Sequence, residues 1–113
     1  MNFKEQATAL ENYILEQRHW LHAHPELGTK EFKTTENIAA ELAAMGIEVQ
    51  TFDDITGCIG TIKGAHPGKT VMLRADIDAL PVTEQTGEEF ASVNEGCMHA
   101  CGHDCHIAMM LGT

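Results

Sequence analysis

Between Gly96 and His106 the chain reads Gly-Cys-Met-His-Ala-Cys-Gly-His-Asp-Cys-His, with three cysteines and three histidines crowded between positions 97 and 106. Gly96 and Gly102 weaken any continuous helix there, so Cys97, Cys101 and Cys105 are not expected to stack on one helical face. The expectation is a tight turn at Gly102, where the missing side chain frees the backbone, followed by a buried helix beginning near His103 and carrying Ile107, Ala108, Met110 and Leu111. Such a turn brings Cys101 and His103 to one ion, and the helix dipole favours the thiolate of Cys101. Thiolate and imidazole suit zinc and its neighbours, and Asp104 adds a harder oxygen. Any one of these residues alone reads more simply as a buried thiol or a hydrogen-bonded imidazole. Cys101 and His103 together read as metal ligands. Disulfides between cysteines so close in sequence are disfavoured by geometry.

Upstream, Phe3, Ala7, Leu10, Ile14 and Leu21 recur at helical steps, and Pro25 must end that helix. Pro25 to Gly28 is a loop. A second helix is expected from about Lys30 to Met45 on Phe32, Ile38, Ala39, Leu42 and Met45, closed by Gly46 in the left-handed region. Residues 47–52 alternate as a half-buried strand. Residues 58–63 and 70–74 are two more strand candidates, and the turn-rich 64–69 link predicts that they pair as an antiparallel hairpin. From Asp76 to Gly96 the pattern weakens into loop. This order points to an α/β layer architecture whose three or four strands and two full helices leave one sheet face poorly covered.

Composition narrows the function. Seven Lys+Arg against 17 Asp+Glu give a net charge of −10, which argues against nucleic acid and anionic membrane surfaces as partners. An apolar fraction of 43% is that of a globular chain. No apolar run approaches a membrane span, and Met-Asn-Phe-Lys-Glu lacks the layout of a signal peptide, so the cytoplasm is the expected location.

Asp76 and Asp78 lie where a strand candidate runs out into a loop, a usual place for functional side chains. They read equally well as turn-forming carboxylates, one of them paired with Arg74. His19, His22 and His24 read as structural, and His66 as a turn residue.

Three ordered motifs carry a family resemblance. Arg18-His19-Trp20-Leu21-His22-Ala23-His24-Pro25-Glu26-Leu27-Gly28 with Glu31 and Thr34-Thr35 is the first. Leu73-Arg74-Ala75-Asp76-Ile77-Asp78-Ala79-Leu80-Pro81 is the second, and Met98-His99-Ala100-Cys101-Gly102-His103-Asp104 the third. Together they resemble the metal-dependent amidohydrolase branch of the aminoacylase/carboxypeptidase superfamily, which includes hippurate hydrolase, N-acyl-amino-acid amidohydrolases and indole-acetyl-amino-acid hydrolases.

The resemblance implies the N-terminal part of a three-layer α/β/α zinc-peptidase-like catalytic domain over residues 1–113, with its sheet incomplete and no lid or dimerisation domain. It implies hydrolysis of the amide bond of an N-acyl amino acid or small peptide by two divalent ions, zinc or manganese, in an enzyme that can be a homodimer. Cys101 and His103 match the first two metal ligands. Asp104 and His106 follow the motif as groups orienting those ligands; Asp76 and Asp78 occupy the region where other branches carry a His-x-Asp ligand motif, but no His is present here, so they are placed with the orienting groups and not among the ligands. The general-base Glu and the remaining ligands are expected beyond Thr113, so these residues alone are expected to be inactive. Glu88-Glu89 lies upstream and is not that pair, and Cys97 and Cys105 are expected to be free thiols. Two alternatives use the same residues differently: a small stand-alone metal-binding or thiol redox module built on 97–106, and a truncated regulator that pairs with an intact homologue.

Overall fold

The computed structural model describes residues 2–113. The chain runs α1 (Phe3–Ala9), α2 (Glu11–Ala23), α3 (Phe32–Ala44), β1 (Glu48–Thr51), β2 (Cys58–Thr61) and α4 (His103–Gly112). It is a small α/β arrangement with an incomplete sheet, as the sequence predicts.

The first expected helix is two. Leu10 ends α1 and precedes α2 with φ −98° and ψ 4°. A reciprocal capping box between Asn2 and Glu5 starts α1, but no residue of α1 is buried. Without packing to hold it in line, the helix bends where the chain leaves the body. α2 ends where expected, with His24 drawn out of the helical region before Pro25.

α3 begins at Phe32 rather than Lys30, because the Glu26 carboxylate caps it from outside. Glu26 accepts the backbone N–H groups of Lys33 (3.2 Å) and Thr34 (2.6 Å) and the Thr34 hydroxyl at 2.7 Å. Gly46 follows with φ 78°, the left-handed closure read from the sequence.

The strand expectations need correction. β1 and β2 pair antiparallel with Val49 opposite Gly60, so the hairpin joins the 47–52 and 58–63 segments instead of 58–63 and 70–74. Residues 70–74 form no strand, and Val71, Met72 and Leu73 are 82%, 81% and 65% exposed. Alternation signals a residue's preference for a pleated surface, but a strand exists only where a neighbour completes its hydrogen bonds. Among the described residues the sheet therefore has two strands, fewer than the three or four expected.

α2, α3 and α4 meet in a core of Leu21, Ile38, Ile107 and Leu111, edged by Tyr13, Trp20, Leu42, Cys58 and Ile77. No helix among the described residues is long and apolar enough to cross a membrane.

Candidate metal centre

Backbone hydrogen bonds lay the sequence motifs side by side. The Ala79 N–H donates to the Glu26 carbonyl at 2.8 Å, within a parallel bridge between Leu27 and Ala79. Leu80 and Met98 exchange N–H···O bonds of 2.9 and 3.0 Å in an antiparallel bridge. The loop after α2 thus holds the 76–80 segment, which in turn holds the segment leading into α4.

His103 opens α4, and its side chain is largely buried. Its Nδ1 lies 3.0 Å from both the carbonyl and the carboxylate Oδ1 of Asp78. Two acceptors at one ring nitrogen identify Nδ1 as the N–H, which leaves Nε2 with the lone pair in the neutral ring. Asp76 Oδ2 stands 3.9 Å from Nε2, outside hydrogen-bond range, while Asp76 is hydrogen-bonded to Arg74. The Arg74 pairing weighed from sequence thus holds for Asp76, whereas Asp78 turns to His103.

Cys101 is an exposed free thiol two residues before His103, separated from it by Gly102 at φ 101°. A side chain at that φ is strained, so glycine lets the chain reverse into α4 between the two. A thiol and an imidazole with Nε2 unengaged are the donor types that a zinc-like ion takes. No group of three or more His, Cys, Asp or Glu among the described residues is arranged to hold an ion. In donor chemistry the pair fits a divalent metal; in number it is fewer than the ligands a closed site takes.

The Asp104 carboxylate is directed at α2. Its Oδ2 accepts from His22 Nδ1 at 2.7 Å and from Arg18 Nε at 3.1 Å, and the residue is 1% exposed. The other ring nitrogen of His22 lies 3.0 Å from both Glu84 carboxylate oxygens. Carboxylates thus face both ring nitrogens of His22. Glu84 also accepts the Ser92 N–H at 2.8 Å and the Thr86 hydroxyl. Burial alone would raise both carboxyl pKa values. Hydrogen bonds outweigh it: from Thr86, Ser92 and His22 at Glu84, and from His22 and the Cys105 N–H at Asp104, so both are held below the usual carboxylate range. Phe90 closes the cluster, stacked on His19 at 4.1 Å, edge-on to His22 at 5.5 Å, and with the Arg18 guanidinium 4.8 Å from its centroid.

The remaining candidates are dispersed. His106 is exposed, its ring 5.7 Å from that of His103. Cys97 is buried, and burial with the nearby Glu26 charge pushes its thiol pKa up. Cys105 is half-buried and free. His99 is buried with no hydrogen-bond partner at either ring nitrogen, and burial lowers its pKa. An open cleft of about 480 Å³ has Arg18, His22, Glu84, Phe90, His99 and Cys101 among its walls.

Sequence reasoning did not single out Glu84, Phe90 or His99, and it read His22 only as structural. The sequence marks Glu26 only as a motif position, and gives Glu31 a role no more specific than a favourable charge in the first turn of the second helix. The structure gives both a structural one, since Glu31 accepts the Thr29 N–H at 3.0 Å and the Thr56 hydroxyl. The available signal was chemical: both are acidic residues in a loop and helix start where an N–H-rich turn needs acceptors.

The comparisons agree with this architecture. Residues 72–113 match the model of peptidase family M20/M25/M40. Thermostable carboxypeptidase 1 of Saccharolobus solfataricus is 47% identical over 110 residues, 96% of this chain and 28% of that protein. The N-acetyl-L-cysteine deacetylase of Bacillus subtilis is 45% identical over 106 residues, covering 94% of this chain and 26% of the relative. The crystal structure of the Bacillus subtilis YXEP protein, a dinuclear metal-binding peptidase of the M20 family, superposes with a TM-score of 0.87 at 44% identity, over 92% of this chain and 30% of that one. The chain thus spans between a quarter and a third of the length of the relatives it matches.

Proposed function

We propose, on the premise that this chain is a relative of the M20 peptidases, that it serves the metal-dependent hydrolysis of the amide bond of N-acyl amino acids or small peptides. Residues 1–113 supply the first part of the catalytic domain, and Cys101 and His103 are two ligands of its divalent metal pair, zinc or manganese. The observation that carries the assignment is the orientation of His103: Asp78 engages Nδ1 at 3.0 Å, so Nε2 is the nitrogen left for an ion, one glycine away from the exposed Cys101 thiol.

When bound, such a metal pair polarises the acyl carbonyl and lowers the pKa of the attacking water. The residues of this chain supply placement. Asp78 fixes the tautomer and rotation of His103, Gly102 sets its distance from Cys101, and the Leu80–Met98 bridge keeps both segments in register. By the family resemblance the general base and the other ligands lie outside these 113 residues, which are expected to be inactive by themselves.

A stand-alone zinc module has less support, because no three His, Cys, Asp or Glu among the described residues are arranged to hold an ion.

A chimera tests the assignment. These residues are exchanged for the aligned 106-residue region of the Bacillus subtilis deacetylase. The chimera is expected to hydrolyse N-acetylcysteine with a requirement for added metal, and Cys101→Ser or His103→Ala to abolish turnover. Full activity in either variant would remove the ligand assignment, and hydrolysis of hippurate or N-acetyl amino acids by the 113-residue chain alone would contradict its incompleteness.

A further inference from the structure

α2 and α4 are held together in two different ways along their length. Toward the C-terminal end of α4 the contact is apolar: Ile107 and Leu111 share the core with Leu21, and Gly112 lies against Ile14. At the N-terminal end of α4 it is ionic. Asp104, the second residue of the helix, takes hydrogen bonds from both Arg18 and His22 of α2, and His22 is gripped from behind by Glu84. Glu84 is itself braced, since its loop is tied to the end of α2 through Val93 N–H to Ala23 carbonyl (2.9 Å) and Asn94 Nδ2 to Pro25 carbonyl (3.0 Å).

A buried ionic cluster stabilises a helix pair no better than well-packed apolar side chains of the same volume. Hydrogen bonds differ from apolar contacts in being directional. The cluster sits at the one turn of α4 where direction matters, next to His103 and three residues from Cys101. We propose that His22 is a positioning residue for the Cys101–His103 pair: held between Asp104 and Glu84, it fixes the rotation of the first turn of α4 and so the direction in which the two ligands face. This rests on the metal-ligand reading of Cys101 and His103. With Asp78 holding the imidazole itself, His103 is then constrained twice, once at its ring and once at its backbone.

The test uses the 113-residue chain and Co²⁺ alone as the probe, read by thiolate-to-cobalt charge-transfer absorption, with thermal melts in parallel. His22→Asn keeps a donor near the Nδ1 position and loses the Glu84 contact; His22→Leu loses both. Both variants are expected to melt earlier, but only His22→Leu is expected to bind Co²⁺ about 10-fold or more weaker, with His22→Asn staying within a few-fold of the parent. Equal losses in the two variants, or no loss in either, would overturn the proposal. If His22→Leu does not fold, His22→Gln, which keeps a polar group toward Glu84 and loses the Asp104 contact, replaces it, and unchanged cobalt binding there would overturn the proposal equally.

A second readout separates failure of this proposal from failure of the ligand reading. If the parent chain gives no cobalt band, two ligands alone do not hold the ion, the ligand reading is judged in the chimera, and the imidazole nitrogen NMR shifts of His103 decide the positioning role. A change in His22→Leu that is absent in His22→Asn supports the positioning role, and unchanged shifts in both refute it.

Discussion

The Asp78 carboxylate meets His103 at Nδ1, 3.0 Å away, on the side of the ring opposite the nitrogen that an ion would use. An orienting carboxylate of this kind sharpens ligand direction and raises ligand basicity. Asp78 is about 40% exposed in its side chain, so its removal should barely touch the fold. Asp78→Ala is expected to weaken divalent-metal binding about 10-fold or more while changing stability by about 0.5 kcal/mol or less. A metal titration beside a urea melt checks both halves.

Gly102 carries φ 101° between the two ligands. Gly102→Ala is expected to cost about 1–3 kcal/mol of stability, because a side chain is strained there even though nothing crowds it. The strain should be relieved by moving the start of α4, so metal binding should fall with it. A melt and a metal titration on the same sample read the two effects.

Glu84 gives a pH dependence with a defined sign. Its folded-state pKa is lowered, burial being outweighed by hydrogen bonds from Thr86, Ser92 and His22. Its contribution to stability is therefore fully present above the unfolded carboxylate value, about 4.3, and is lost as the pH falls through the lower folded value. Glu84→Gln is expected to cost about 2 kcal/mol at neutral pH and to converge on the parent in acid. Urea melts across the acid range measure the convergence.

Tyr13 is the only tyrosine in the chain and donates its hydroxyl to Glu41 at 2.8 Å. Burial first, and then the Glu41 carboxylate, push its pKa well above the ordinary value. The stability it contributes is present below the unfolded value, about 10, and is lost as the pH rises from there toward the folded one. Tyrosinate absorbance of the folded chain is expected to stay low near about pH 11 and to appear at lower pH in Glu41→Gln.

Local features were legible in the sequence and distant pairings were not. Gly46 and Gly102 announced their helix boundaries because a positive φ is a property of one residue and its neighbours. Pro25 announced the end of α2 for the same reason. Residues 70–74 misled because β-preference says nothing about which strand comes alongside. In the site, the closeness of Cys101 and His103 follows from a single intervening glycine. The His22 cluster joins residues 62 and 82 positions apart, and no periodicity carries that information. Asp78 lay between these cases: its motif marked it, but its contact with His103 spans 25 positions and needed the Leu80–Met98 bridge to exist.

The most direct test of the central claim is cobalt binding to the 113-residue chain across single cysteine and histidine variants, read by thiolate charge-transfer absorption. The account predicts a band that is lost in Cys101→Ser and His103→Ala and kept in Cys97→Ser, Cys105→Ser and His106→Ala. A band that survives Cys101→Ser, or one that depends on Cys97 or Cys105, would contradict it.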